Sequence, residues 1–198
     1  NLATLNLYKT KKPIFNNLQK GTTNFQFKNL SKDIGYLRLS SFYADDANVA
    51  TSVTFWNNVK DSVTTPHLIV DVRNNSGGGF KTSRRFIDFL NKYEGDIYIL
   101  QNSKTASNAE KFILRLKKAK IKMVTLGETT VGTLAYGSNF GKTVSLPNHK
   151  FVFYPTDMKG DKLDIPYESV GIEPDVSLDS FTEDWIMQTI KYIKANEK

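Results

Sequence analysis

The stretch that decides the fold is Leu68-Ile69-Val70-Asp71-Val72, which runs directly into Arg73-Asn74-Asn75-Ser76-Gly77-Gly78-Gly79. A continuous apolar run of this length predicts a strand that is covered on both faces, as in a parallel sheet. The successive glycines predict a tight turn, because glycine adopts backbone angles that other residues avoid. A helical pattern begins near Lys81, so the whole stretch predicts a strand, a turn and a helix.

The same order recurs on both sides of this stretch. Residues 34–42 alternate like a strand, and Asp45 opens a helix whose predicted apolar stripe is Val49, Val53, Phe55, Trp56 and Val59. Residues 97–100 and 123–126 are short apolar strands with a helical pattern between them. Strands that alternate with helices from residue 34 to 126 predict an α/β domain with a mainly parallel sheet.

The ends of the chain are organised differently from this core. Residues 1–30 contain helix and strand breakers and predict an N-terminal extension, or the remnant of an upstream domain. Residues 31–198 form the predicted core domain. Within it, residues 142–146 and 150–154 predict a hairpin, and residues 182–195 predict an amphipathic helix.

Composition excludes several classes of protein. The 198 residues contain no cysteine, which excludes a disulfide framework, thiolate metal sites and a cysteine nucleophile. The net charge of +7 comes from scattered lysines rather than from one basic face, so no nucleic-acid partner is predicted. A basic surface that faces an anionic cell envelope is the simpler interpretation. The N-terminus lacks both Met and a signal-peptide pattern, which predicts a processed or excised chain.

Ser107 lies where the third predicted strand gives way to a helix, in Thr105-Ala106-Ser107-Asn108-Ala109-Glu110. One interpretation is a helix cap, with Glu110 completing a capping box three residues later. The other is a nucleophile that gains from the positive end of the helix and from free N–H groups able to hold an oxyanion. The local sequence leaves both interpretations open.

Three loops should converge beside Ser107, because sites in open α/β sheets form beyond the carboxyl ends of the strands. They are the glycine loop at residues 74–79, the Ser107 turn and residues 127–132. The glycine loop fits a tight structural turn, a phosphate cradle or a close approach to a peptide carbonyl. It lacks the Lys-Ser/Thr pair that follows the glycines of a P-loop.

Four motifs carry a resemblance to a known family. Residues 71–79, Asp-Val-Arg-Asn-Asn-Ser-Gly-Gly-Gly, resemble the Asp-Leu-Arg-x-Asn-x-Gly-Gly signature of the C-terminal processing (tail-specific) serine peptidases. Residues 105–110 resemble their Ser-Ala-Ser-Ala-Ser-Glu segment, and residues 127–132 resemble their Gly-Glu-x-Thr-x-Gly. Residues 170–176 are similar to their closing Gly-Ile-x-Pro-Asp. The four motifs occur in the family's order.

The resemblance implies a fold and a chemistry. The fold would be a ClpP/crotonase-like core of ββα units, and the activity a serine endopeptidase that cleaves protein or peptide substrates without a metal or organic cofactor. By this resemblance Ser107 is the nucleophile, and the oxyanion hole uses the amide of Gly77 or Gly78 together with that of Asn108. Relatives of this kind are extracytoplasmic in bacteria, which implies a secreted or envelope-associated protein.

One departure from the family concerns the general base. Tail-specific members place a lysine where this chain has Thr133, and a threonine hydroxyl cannot accept the serine proton as a desolvated amine can. The departure fits either an inactive relative or the branch that uses Ser, His and Glu, as in the tricorn core protease. Glu168 matches its glutamate, and its histidine comes from an upstream segment, such as a PDZ-like or helical domain of the same protein. Glu168 also fits a solvated loop carboxylate paired with lysine.

The bases within the chain are weaker candidates. His67 should lie at the amino end of the sheet, opposite the site, and His149 falls in the predicted hairpin turn. Lys104 and Lys142 are fallback bases. The sequence thus predicts a peptidase core that needs an outside histidine for full activity, and the alternative is a catalytically inactive binding module for peptides or small apolar ligands. The oligomeric state is not predicted.

Overall fold

The computed structural model describes residues 23–119, 121–137, 143–153, 156 and 159–197. A six-stranded sheet forms its centre, in the order β1-β2-β3-β4-β5-β8, and a separate two-stranded hairpin is formed by β6 and β7. The β1 strand is antiparallel to β2, and every other pair in the large sheet is parallel. The strands are β1 (Phe25–Asn29), β2 (Ile34–Leu39), β3 (His67–Asp71), β4 (Asp96–Gln101), β5 (Met123–Gly127), β6 (Val144–Ser145), β7 (Val152–Phe153) and β8 (Val176–Ser177).

The helices follow the strands as the sequence predicts. They are α1 (Asp46–Val59), α2 (Phe80–Leu90), α3 (Asn108–Lys118) and α4 (Trp185–Asn196). The predicted start of α1 is confirmed, since the Asp45 carboxylate accepts a hydrogen bond from the Asn48 amide at 2.7 Å. The predicted stripe of α1 is confirmed at the buried Trp56 but wrong at Val53, which is 37% exposed, because the helix turns Asn48 and Ser52 toward the core instead.

The sheet separates two apolar cores. Neighbouring residues of a strand point to opposite faces, so Val70 joins one core and Ile69 joins the other. The first core is filled from α1, α2 and α3, and the second from α4. The helices contribute Trp56, Phe86, Phe112, Ile113 and Leu116 to the first core.

The prediction of a mainly parallel α/β sheet is confirmed, as are the predicted hairpin and the C-terminal helix. Residues 1–22 lie outside the described residues, so the predicted boundary at residue 30 stays a prediction. Within the described part, β1 pairs with β2 along its whole length and belongs to the large sheet. None of the described helices combines the length and the hydropathy of a membrane span.

A buried ionic cluster joins β2 to the end of β3. The fully buried Asp71 carboxylate accepts hydrogen bonds from the Tyr36 hydroxyl at 2.8 Å, from Arg38 at 2.7 Å and from two nitrogens of Arg73. Burial acts to raise the pKa of Asp71, but the charge and hydrogen bonds of Arg73, with smaller contributions from Arg38 and Tyr36, lower it to about 2. The Arg73 guanidinium also lies 5.6 Å from the ring centroid of Trp185, which ties α4 to the same cluster.

Asp71→Asn should destabilise the fold strongly. The change leaves the buried Arg73 charge without its carboxylate, and breaking one partner of a buried pair costs about 3–5 kcal/mol. Because the pKa of Asp71 is lower in the folded state, its contribution is present above about pH 4 and is lost as pH falls toward about 2. Urea unfolding at several pH values should therefore show a difference from wild type that shrinks in acid.

Asp88→Asn is the matched control. Asp88 pairs with Arg84 at 3.5 Å on the exposed surface of α2, and exposed pairs contribute about 0–1 kcal/mol. Equal losses of stability in the two variants would contradict the role given to Asp71.

Candidate active site

Ser107 has an unusual backbone conformation. Its φ of 54° and ψ of −121° lie in a region that residues with a side chain seldom occupy, and such a conformation costs about 1–3 kcal/mol. The residue is the N-cap of α3 and follows β4 by a short loop. A strained serine between a strand and a helix is the arrangement that presents a nucleophile in several hydrolases.

Hydrogen bonds from neighbouring segments hold the Ser107 turn in this conformation. The Ala106 amide donates to the Asn75 carbonyl at 2.9 Å, and the Val131 amide donates to the Thr105 carbonyl at 3.0 Å. The Thr105 hydroxyl donates to the Val72 carbonyl at 3.0 Å. The turn is therefore fixed by both loops that the sequence predicts to converge on it.

The glycine loop lies directly against the Ser107 turn. A Cβ atom added to Gly77 would stand 2.7 Å from the Ser107 Cβ and 2.8 Å from the Asn108 nitrogen. A Cβ atom on Gly78 would stand 2.0 Å from the Phe42 carbonyl oxygen. Both glycines have positive φ, 93° and 131°, so contact and conformation each require glycine at these positions.

Two amides at the junction between the glycine loop and the Ser107 turn are free, among the described residues, to bind a ligand. The Gly77 amide donates to the Asn75 side-chain oxygen at 2.9 Å and is therefore occupied. Within the described residues, the amides of Gly78 and Asn108 have no hydrogen-bond acceptor. Unpaired N–H groups beside a helix N-terminus form a site for negative charge. The geometry therefore favours Gly78 over Gly77 as the donor from the glycine loop.

The Glu110 carboxylate organises the third loop around the same point. It is fully buried, and one of its oxygens accepts from the amides of Ser107 at 2.7 Å and Thr133 at 3.0 Å. The other oxygen accepts from the Thr130 hydroxyl at 2.6 Å and the Gly132 amide at 2.7 Å. One carboxylate thus joins the Ser107 turn to residues 130–133.

The start of α3 is capped mainly by the Glu110 side chain rather than by the Ser107 hydroxyl. The pair has the arrangement of a capping box, and the Glu110 carboxylate accepts from the Ser107 amide. The Glu110 amide, however, donates to the Ser107 carbonyl oxygen at 2.9 Å, and the Ser107 hydroxyl makes no capping hydrogen bond. The single hydrogen of the Glu110 amide is already accepted by this carbonyl, so the Ser107 hydroxyl is not needed to satisfy it. The half-buried hydroxyl is left available for other chemistry.

Thr133 and Glu168 lie on one side of this junction. The exposed Thr133 shares the Glu110 oxygen with Ser107 through its amide. One oxygen of the half-buried Glu168 accepts from the amides of Leu134 and Ala135 at 3.0 and 2.7 Å. No lysine pairs with Glu168 among the described residues, so the expected surface ion pair is absent there.

The histidines lie away from this junction. His67 begins β3, at the opposite end of the strand from the glycine loop, and contacts Asp96 and Glu197. His149 lies in the exposed hairpin turn, 3.3 Å from the Ser145 hydroxyl. Both positions agree with those predicted from the sequence.

Other candidate groups add little to the site. Lys104 is exposed beside the Ser107 turn, and Lys142 falls outside the described residues. No cluster of three potential metal-ligating side chains occurs in the part of the chain that is described.

Sequence reasoning missed two positioning residues. It treated Glu110 only as a partner of Ser107, although the same side chain binds Thr130, Gly132 and Thr133. It also gave no role to Asn75, which is fully buried, donates to the Leu39 carbonyl at 2.9 Å and accepts from Gly77. A polar residue next to a glycine run is the signal that could have identified Asn75.

Glu110→Gln should loosen the junction and destabilise the chain by about 2–4 kcal/mol, because hydrogen bonds to a charged group contribute about 1.5–3 kcal/mol each. Each oxygen of Glu110 accepts from two donors. In glutamine one of these oxygens is replaced by an NH2 group, which is itself a donor, so two hydrogen bonds are lost. Unfolding in urea gives the stability, and the amide NMR shifts of Gly132 and Thr133 report the local change.

Glu128→Gln is the control for this experiment. Glu128 is half-buried, and its carboxylate accepts from the hydroxyls of Ser103 and Ser180, both at 3.1 Å, and from the Ser103 amide at 3.5 Å. Its replacement should cost less than about 1 kcal/mol. A Glu110→Gln variant as stable as Glu128→Gln would show that the four contacts of Glu110 contribute little.

Comparisons with known proteins agree with this architecture. Residues 33–92, which include β2, β3 and the glycine loop, match the model of Peptidase family S41. The fold resembles a lipoprotein from Streptococcus agalactiae, with a TM-score of 0.63 at 19% identity over 88% of this chain and 71% of that one. It also resembles the photosystem II D1 C-terminal processing protease, with a TM-score of 0.55 at 22% identity over 82% of this chain.

The chain spans only 50% of the length of the D1 processing protease. No match to the chain was found among the curated proteins. The family match therefore covers β2, β3, the first two helices and the glycine loop, and the shared fold extends over most of the chain.

Proposed function

We propose that this chain is the catalytic core of a serine peptidase that acts on protein or peptide substrates. The match to Peptidase family S41 supports peptidase activity in general terms. The observation that carries the proposal of a serine nucleophile is the strained Ser107. It lies against a glycine loop whose Gly78 amide has no acceptor among the described residues. No cofactor is part of the proposal.

In the proposed reaction the Ser107 hydroxyl attacks the scissile carbonyl carbon. The carbonyl oxygen gains negative charge and is bound by the amides of Gly78 and Asn108, at the positive end of α3. Donors of this kind are each worth about 2.7–4 kcal/mol of transition-state stabilisation. The serine proton passes to a general base and then to the leaving amine, as in a catalytic triad.

The base in this proposal is a histidine supplied from outside the described residues, and Glu168 orients it. One oxygen of Glu168 already accepts from the amides of Leu134 and Ala135. The other has no partner among the described residues and can accept from an imidazole N–H. The exposed Thr133 beside Ser107 leaves room for a base to approach from this side.

A second candidate function is a non-catalytic binding module for peptides or small apolar ligands. The observation that favours it is the absence of a base from the described junction, where Thr133 occupies the position of the family's lysine. The same amides would then bind a carbonyl or carboxylate without cleaving a bond. We also propose an extracytoplasmic, envelope-associated location, which is consistent with the net charge of +7.

Ser107 should react with a fluorophosphonate probe, slowly in this chain and faster in Thr133→Lys, because a serine without its general base is a weak nucleophile. The probe mimics the tetrahedral intermediate, so labelling needs both an available hydroxyl and the oxyanion donors. Ser107→Ala should abolish the label, whereas Ser103→Ala, which changes an exposed serine on the same loop, should keep it. In-gel fluorescence and peptide mass spectrometry identify the labelled residue, and a label on any other serine would contradict the proposed nucleophile.

Thr133→Lys should raise hydrolysis of an unfolded protein substrate by at least about tenfold, because a positioned general base contributes about 10²–10⁴ in rate. The added amine would extend from a residue whose amide shares one Glu110 oxygen with Ser107. Peptide release is measured for the single variant and for Thr133→Lys combined with Ser107→Ala.

Val131→Lys is the control, since Val131 is exposed on the same loop but its amide binds Thr105 instead. A higher rate of peptide release in Thr133→Lys but not in Val131→Lys, abolished by adding Ser107→Ala, supports the proposal that the site lacks only its general base. An unchanged rate, or an equal gain in Val131→Lys, would be evidence against it.

A further inference from the structure

The hairpin β6–β7 carries an uncovered apolar face. Val144 pairs with Phe153 and Ser145 with Val152, and the Leu146 amide donates to the Phe151 carbonyl at 3.0 Å. Since alternate residues share a face, Val144, Leu146, Phe151 and Phe153 lie on one side of the hairpin. Phe151 is 62% exposed, Phe153 55% and Val144 53%.

Among the described residues, neither core of the domain includes a residue of the hairpin, so neither core covers this face. The hairpin is also a separate two-stranded sheet, so the outer edge of each strand keeps backbone groups without a neighbouring strand in the described part of the chain. An exposed strand edge beside an apolar face is the combination that binds extended polypeptides by strand addition.

The hairpin belongs to a segment that leaves the candidate site and returns to it. At the outgoing end, the Gly132 and Thr133 amides bind Glu110. At the returning end, Glu168 accepts from the Leu134 and Ala135 amides, and the Ser169 amide donates to the Gly132 carbonyl at 2.7 Å. Both ends of the segment are therefore fixed beside Ser107.

Exposed apolar side chains continue along the base of this segment. A Cβ atom on Gly160 would stand 2.9 Å from the Ile165 side chain and 3.2 Å from the Tyr136 ring, so the two arms of the segment meet there. Tyr136 is 48% exposed and Ile165 44%. The ion pair between Lys111 of α3 and Asp164, at 2.9 Å, fastens this base to the helix that Ser107 caps.

We propose that the apolar face of the β6–β7 hairpin is a docking site for an extended stretch of the polypeptide substrate. The stretch would pair with a hairpin edge and place apolar side chains at every second position against Val144, Leu146, Phe151 and Phe153. The inference rests on the proposed peptidase function. It adds a preference for unfolded, alternately apolar segments that lie away from the scissile bond.

The chemistry of the hairpin argues against a lipid bilayer as the occupant. The turn that would enter first contains Asn148, His149 and Lys150, all of which are exposed. The Lys150 amide donates to the Asn148 side chain at 3.0 Å, so the polar turn is a fixed feature of the tip. An apolar face that runs along the strands, behind a polar tip, suits an extended chain lying across the hairpin.

The test is peptide binding to the full chain that carries Ser107→Ala, which binds without cleaving. Fluorescence anisotropy would measure a labelled ten-residue peptide with Val or Phe at alternate positions, and a peptide with Ser at those positions is the ligand control. Phe151→Ser with Phe153→Ser should weaken binding of the apolar peptide at least tenfold. Val152→Ser, on the opposite face, should leave it unchanged.

Circular dichroism and thermal melting of each variant would establish that all of them fold alike. Unchanged binding in the Phe151/Phe153 variant, or equal binding of the serine peptide, would overturn the docking proposal. The proposal would also be overturned if sedimentation showed a dimer that the Phe151/Phe153 variant dissociates. It would be overturned as well if the hairpin bound anionic phosphatidylglycerol vesicles rather than the peptide, and the Phe151/Phe153 variant abolished that vesicle binding. Failure of the peptidase function is seen separately, as loss of fluorophosphonate labelling at Ser107 while peptide binding persists.

Discussion

A single buried carboxylate holds the candidate site together. Glu110 has four donors around it, which come from the Ser107 turn and from residues 130–133. Burying a carboxylate is costly unless hydrogen bonds offset its lost hydration, and these four donors do so. Because two of the donors bind one oxygen, the Ser107 and Thr133 backbones cannot separate without leaving that oxygen poorly satisfied. The positive φ of Ser107 is stable because these contacts fix the chain on both sides.

The sheet supplies the second constraint. Parallel strands β3, β4 and β5 end at one edge, so the loops that follow them are neighbours before any side chain contributes. Side chains then decide which backbone groups stay available. Asn75 binds the Gly77 amide and leaves that of Gly78 unpaired. The two glycines differ because the Gly77 amide organises the loop, whereas the Gly78 amide has no acceptor among the described residues.

The sequence predicted the strands well, because buried parallel strands such as β3 are short apolar runs between clear turn signals. It predicted the convergence of the three loops for the same reason. It did not distinguish Gly77 from Gly78, since that choice depends on where the Asn75 side chain points. The contacts of Glu110 with residues 130–133 span twenty or more positions of the chain, and spacing along a sequence carries no signal at that range.

The junction has one protected side and one open side. On the protected side, buried Asn108 and Ser83 are joined by a hydrogen bond of 3.0 Å, and α2 packs against α3. On the open side lie the exposed Thr133 and the half-buried Glu168. In the proposed reaction, the general base and the extended substrate both approach Ser107 from the open side. The amides of Gly132 and Thr133 and the carboxylate of Glu168 are fixed beside that approach, so proton transfer and substrate docking in the proposed reaction depend on neighbouring residues of the described chain.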